Sequence, residues 1–135
     1  EGGLDVVRHK KELTAAVSKL HDAGITVSLF IDPEPAQIET AASLLVPAVE
    51  LHTGAYANAK KDSQHELQIL AEAATFVHQA GLILNAGHGL TYRNVTPIAE
   101  IQGMEELNIG HSIVARAVFV GMAEAVREMR DLIPH

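Results

Sequence analysis

The sequence has no cysteine among its 135 residues. Disulfides, zinc–thiolate centres and thiol nucleophiles are therefore excluded, and the composition suits a cytoplasmic protein. No apolar run approaches the roughly twenty residues of a membrane span, and no signal peptide opens the chain. Basic residues are few: ten Lys and Arg, scattered, against seventeen Asp and Glu, for a net charge of −7. That balance argues against a nucleic-acid surface and reads as ordinary solubility charge. No lysine lies within or at the end of any predicted strand, which disfavours a Schiff-base aldolase; Lys60 and Lys61 fall in a loop as a solvated charge pair. The initiator methionine is also missing, since the chain begins Glu1-Gly2-Gly3, as a piece of something longer would.

What is present suits one soluble globular unit: 47% hydrophobic residues, and eight histidines, many for this length. Leu13, Ala16, Val17 and Leu20 fall at helical spacing and predict a helix from about Val6 to Ala23, stopped by Gly24. Ile25 to Ile31 alternates as a strand, ended by Asp32-Pro33, and a helix follows with Ile38, Ala41, Ala42 and Leu45 on one face. Pro47 to His52 is a second strand, and Thr53 to Lys61 a polar loop. Ser63 to Glu66 has the form of a capping box. The helix it opens carries Leu67, Leu70, Ala71, Ala74 and Val77 and closes at Gly81. Leu82 to Ala86 is a third strand, Asn94 to Ile101 a short helix or turn, and Leu107 to Ile109 a fourth strand. One long helix from about His111 carries Val114, Val118, Met122, Val126 and Met129. Histidines 9, 21, 65, 78 and 135 fall on helices or the tail, as surface residues.

Strands alternating with helices in this way indicate βα units and a parallel sheet. Side-chain parity narrows the choice of α/β fold. Val27, Leu29 and Ile31 oppose Ser28, Phe30 and Asp32; Val49 and Leu51 oppose Glu50 and His52; Leu107 and Ile109 oppose Glu106 and Asn108. One face is apolar and the other polar. A doubly wound sheet buries both faces under helices, whereas a closed barrel can hold polar groups inside, near its mouth. Parity thus favours a TIM (β/α)8 barrel, of which these residues supply about the last four strand–helix units. A complete barrel needs about 200 residues or more, so residues 1–135 read as the C-terminal half of a single barrel domain.

Barrel active sites lie at the C-terminal ends of the strands. There the chain places Asp32, Glu50 with His52, Asn85 with His88, and Asn108 with His111. The segment Leu82 to Leu90 stands out, because an apolar strand stops abruptly and His88 follows between Gly87 and Gly89. Flanking glycines allow positive φ and close approach to a ligand, and a histidine there can exchange protons near neutral pH. The same turn would also serve as a plain strand-to-helix reversal. Glu50 is either a used carboxylate or half of an internal salt bridge, and His52 reads best as a hydrogen-bonded core histidine. Gly110-His111-Ser112 opens the last helix, where free N–H groups and the helix dipole favour an anion; a simple N-cap at His111 or Ser112 is the alternative. Histidines 52, 88 and 111 could in principle bind zinc. With no His-x-His or His-x3-His pair, the expectation is no metal site.

At these residues the chain resembles the pyridoxine 5′-phosphate synthase family, the barrel enzymes that close the pyridine ring in bacterial vitamin B6 synthesis. The resemblance rests on the stretches from Glu1 to Val6, Val27 to Asp32, Glu50 to Gly54 with Tyr56-Ala57, Asn85 to Tyr92 and Glu106 to His111. It implies condensation of 3-amino-2-oxopropyl phosphate with 1-deoxy-D-xylulose 5-phosphate to pyridoxine 5′-phosphate, inorganic phosphate and water, without metal or organic cofactor. By position in these motifs, His88 corresponds to the proton donor and Glu50 to the carboxylate that stabilises charge in the transition state. Gly89, Gly110 and His111 correspond to contacts with the amino-ketone phosphate. The family further implies a homo-oligomer, an octamer. Its other general bases and sugar-phosphate ligands would lie upstream of Glu1, so the chain alone is expected to be inactive. Two other readings remain at this point: a different phosphate-binding barrel enzyme such as an isomerase, and a non-catalytic phosphate-binding or assembly module.

Overall fold

In the computed structural model, which describes residues 2–59 and 62–134, four short segments rich in branched and apolar residues form parallel strands. They are β1 (Ser28–Ile31), β2 (Ala48–His52), β3 (Ile83–Gly87) and β4 (Met104–Asn108), in spatial order β1-β2-β3-β4. Chain order and spatial order coincide. A doubly wound sheet reverses its winding at a switch point, whereas a barrel adds each strand beside the last, so this sequential order is barrel-like. Glu1, Lys60, Lys61 and His135, each named above, lie outside the described residues.

The helices are α1 (Lys10–Asp22), α2 (Pro35–Ser43), α3 (Gly54–Asn58), α4 (Ser63–Gln79), α5 (Val95–Ala99), α6 (His111–Val120) and α7 (Met122–Arg130). Leu29, Ile31, Val49, Leu51, Leu84 and Ala86 from one sheet face join Ile38, Ala41, Leu70, Ala74 and Val77 of α2 and α4 in a single buried core. The register explains the opposite face. Phe30, Glu50, Asn85 and Glu106 lie in one row across the sheet, and His52, Gly87 and Asn108 in the next. Registered neighbours in a pleated sheet point the same way, so alternate residues deliver two polar rows to one surface.

Several boundaries differ from the sequence reading. The first helix begins at Lys10, because residues 6–9 form a turn tied down by Val6, whose N–H donates to Gln37 Oε1 at 2.8 Å. Leu45 leaves the face of α2: it lies beyond the helix at φ 60° and is exposed. The polar loop after β2 contains α3, whose Tyr56 is buried and donates to the Asn94 carbonyl at 2.9 Å. Ser63 does not cap α4; Asp62 holds the N-cap position, and among the described residues no side chain caps the helix start. Ala71 is exposed while Ala73 is buried, a rotation of the inward stripe. β4 runs from Met104 to Asn108 rather than from Leu107 to Ile109.

The largest correction concerns the C-terminal helix. Gly121, at φ 82° and ψ 156°, breaks it into α6 and α7, a backbone state that only glycine adopts without strain. Arg116 of α6 and Glu128 of α7 then pair across the bend through two 2.7 Å hydrogen bonds. Of the predicted inward stripe, Met129 is buried while Val114, Val118, Met122 and Val126 are exposed, alongside Phe119. The outer edge of β1 receives a backbone hydrogen bond from Leu4, whose N–H meets the Phe30 carbonyl at 2.8 Å.

Burial decides which apolar residues carry stability. Leu51 is 1% exposed and Phe119 84% exposed. Leu51→Ala is expected to cost about 2–5 kcal/mol, and Phe119→Ala to change stability by less than about 0.5 kcal/mol, as measured by urea denaturation.

Candidate active site

The five residues to which the family motifs gave roles border one cleft, whereas Asp32, His52 and Asn85, also placed at the strand ends, are not among its lining residues. Glu50, His88, Gly89, Gly110 and His111 line a cavity of about 660 Å³ at the C-terminal end of the sheet, with Asn108 beside them. Each arrives there for a local reason. Glu50 sits in the middle polar row of β2, half-buried. Asn108 ends β4, and its Nδ2 donates to Glu50 Oε2 at 3.0 Å. Gly87 is a close-approach glycine: a Cβ there would collide with Glu50 Oε1 and press on Asn108. The absence of a side chain at position 87 therefore makes room for the carboxylate.

His88 follows at φ 84° and Gly89 at φ 77°. Positive φ is routine for glycine but strained for histidine, and strain of this kind persists only where surrounding contacts hold it. Thr53, fully buried directly after β2, bonds the main chain on either side of His88. Its N–H donates to the Gly87 carbonyl at 2.9 Å, and its hydroxyl lies 2.7 Å from that oxygen and 2.6 Å from the His88 carbonyl oxygen. The His88 ring packs edge-on against His52, with centroids 5.0 Å apart, and Phe30 completes the group at 6.3 Å from His88.

His52 is the hydrogen-bonded histidine that the sequence suggested. Its Nδ1 lies 2.9 Å from Asp32 Oδ1, an oxygen that also accepts the Gly3 N–H at 2.9 Å. His52 Nε2 is buried with no hydrogen-bond partner among the described residues. No group of three or more His, Asp or Glu among the described residues could hold a metal ion. His9, His21, His65 and His78 are exposed on or beside helices, and His78 Nε2 meets the Gln102 carbonyl at 2.9 Å.

Gly110 is the N-cap of α6 and His111 its first residue. Ser112 does not cap the helix; its hydroxyl donates to the Leu90 carbonyl at 2.9 Å and ties the start of α6 to the His88 loop. Among the described residues no side chain caps the start of α6, which borders the cleft, the arrangement that attracts an anion. Sequence reasoning passed over Thr53. Its only signal was a hydroxyl residue directly after a strand and before a glycine, where buried backbone groups need partners.

Burial raises the Glu50 pKa above the ordinary carboxylate value, with Glu106 adding to the rise; the Asn108 hydrogen bond and His88 oppose it.

A sequentially ordered parallel sheet with its polar cleft at the strand ends defines an α/β protein of the barrel type. Comparison with known proteins makes this specific. The chain belongs to the PdxJ family, whose model, described as "Pyridoxal phosphate biosynthesis protein PdxJ", matches residues 1–135. It is 59% identical over 134 residues to a pyridoxine 5′-phosphate synthase of Rhodopirellula baltica, covering 98% of this chain and 54% of that protein. Similar relatives are the synthases of Synechococcus sp. WH7803, 58% identical with 98% and 54% coverage, and of Thermosynechococcus vestitus, 55% identical with 98% and 57% coverage. The chain thus spans about half the length of the curated relatives it matches.

A carboxyl with a raised folded-state pKa binds its proton more tightly in the native state, so it favours folding most at low pH. That contribution is lost as pH rises through the raised value. Glu50→Gln is therefore expected to stabilise the chain at pH 7 by less than about 1 kcal/mol, since half-exposure screens the charge. Below pH ~4 the gain should vanish. Thermal melts of both proteins across this range check it; a gain that persists at low pH would contradict the assignment.

Proposed function

We propose that this chain forms half of the active site of a pyridoxine 5′-phosphate synthase, in which it is the C-terminal half of one (β/α)8 barrel. The whole enzyme condenses 3-amino-2-oxopropyl phosphate with 1-deoxy-D-xylulose 5-phosphate to give pyridoxine 5′-phosphate, inorganic phosphate and water. The observation that carries this reading is the convergence of Glu50, His88 and the Gly110–His111 helix start on one cleft. The identity to the named relatives supports it, as does the exposed apolar side of α6 and α7, with Val118 at 79% and Phe119 at 84%. Four further βα units would complete the ring and cover those residues.

Within that reading each group has a distinct task. The α6 N-terminus and the Gly89 backbone hold the phosphate of the amino ketone through N–H groups and the helix dipole. His88 donates a proton to a departing oxygen, which imidazole is suited to do near neutral pH. Glu50, anchored by Asn108, stabilises positive charge that develops on the substrate nitrogen, an electrostatic effect strengthened by partial burial. No cofactor takes part. The remaining proton transfers belong to the other half of the barrel. A homo-octamer located in the cytoplasm is part of the same proposal.

Two measurements test it. The 135-residue chain by itself is expected to show no turnover. A chimera joining the first half of the Rhodopirellula baltica synthase to this chain should form pyridoxine 5′-phosphate, and His88→Asn in it should lower kcat by about 10²–10⁴-fold. A folded chimera without activity, or one indifferent to His88→Asn, would overturn the reading.

A further inference from the structure

We infer that Thr53 and the Asp32–His52 pair are positioning residues for His88, the first holding its backbone and the second its ring. The inference takes its catalytic consequence from the proposed role of His88, but its structural content stands apart from that role.

The backbone half of the device follows from hydrogen-bond accounting. At φ 84° His88 occupies a region that β-carbon sterics disfavour. Thr53 Oγ1 carries one proton and lies within hydrogen-bond distance of two carbonyl oxygens, Gly87 at 2.7 Å and His88 at 2.6 Å. These carbonyls bracket the strained residue. Thr53 is fully buried, so its own hydroxyl is held away from solvent. A second bond, from Thr53 N–H to the Gly87 carbonyl at 2.9 Å, fixes the residue that does the holding. The hydroxyl therefore clamps the His88 carbonyl directly, and a serine in its place would retain that clamp.

The ring half works through a neighbour. A carboxylate only accepts hydrogen bonds, so the 2.9 Å contact to Asp32 Oδ1 assigns the proton of that bond to His52 Nδ1. The bond locks the His52 ring in plane. Gly54 is required on its other side, because a Cβ there would run into the ring nitrogen Nε2. With Asp32 on one edge, Gly54 on another and Phe30 at 5.1 Å, His52 presents a fixed surface to the His88 ring at 5.0 Å. Asp32 is in turn held by the Gly3 N–H at 2.9 Å, so the opening segment of the chain contributes to the orientation of a residue 85 positions away.

Nuclear magnetic resonance of the 135-residue chain, labelled with 15N and 13C, reads both halves without any substrate. In Thr53→Val, which keeps the shape and removes the hydroxyl, the His88 Cα shift and three-bond coupling that report positive φ should be lost or broadened. Thr53→Ser should restore them. In Asp32→Ala, the His52 ring 15N shifts should move away from the pure Nδ1–H tautomer, and the His88 ring protons should shift with them. If Thr53→Val does not fold, the Asp32→Ala spectra and the Thr53→Ser rescue decide the matter. Unchanged His88 signals in folded Thr53→Val and Asp32→Ala would overturn the inference. In the active chimera, Thr53→Val should lower kcat at least ten-fold with little change in KM, and Thr53→Ser should recover it. Spectra that change as expected with kcat unaltered would leave the positioning in place and remove the proton-donor role of His88 instead.

Discussion

The pleat of the parallel strands is the constraint on which the molecule depends. Because successive side chains point to opposite faces, each strand must satisfy two environments at once. Leu29, Ile31, Val49 and Leu51 go under the helices, where burying each side chain contributes roughly 1.5–3 kcal/mol. Phe30, Glu50, His52 and Asn108 are thereby forced to the other surface, whatever their own preference. A slip of one residue in register would send carboxylates into the core and leucines into the cleft. The core thus sets the position of the chemistry.

Above that frame, the cleft is assembled from loops that are tied to one another rather than to the strands alone. Thr53 joins the end of β2 to the His88 turn, Ser112 joins the start of α6 to Leu90 beyond it, and Tyr56 joins α3 to Asn94. Each tie is a hydroxyl donating to a main-chain carbonyl of a neighbouring loop or helix start. Such bonds contribute only about 1 kcal/mol net apiece. Their value lies in geometry, since they hold the His88 imidazole, a half-buried carboxylate and a helix N-terminus around one small volume.

Electrostatics inside that volume is graded. Glu50 is held between opposing influences, with burial and Glu106 favouring its protonated form and Asn108 and His88 favouring the carboxylate. A group in that condition responds to a charged ligand more readily than a fully solvated one. The start of α6 adds a positive potential a few residues away on the same rim. The rim therefore carries a carboxyl and a positive helix end as separate features.

Local pattern in the sequence was enough to determine the four βα units, the apolar and polar sides of three of the strands, and the Gly87-His88-Gly89 and Gly110-His111 turns. These depend on nearest neighbours, on the period of a strand or helix and on the permissiveness of glycine, all of which are written along the chain. The family motifs likewise pointed to Glu50 and His88. Tertiary structure alone decided the rest. Gly121 breaks a stripe that is continuous as a helical pattern, because its conformation is set by how α7 turns back on α6. Leu45 matched the spacing of α2 yet ended exposed in a turn. The sequence passed over Thr53 and placed Asp32 at a strand end without a role; folding brings a hydroxyl from position 53 onto the carbonyl of position 88, and a carboxylate from 32 onto the ring at 52. Contacts between residues so far apart in the chain are created by packing, and no local pattern encodes them.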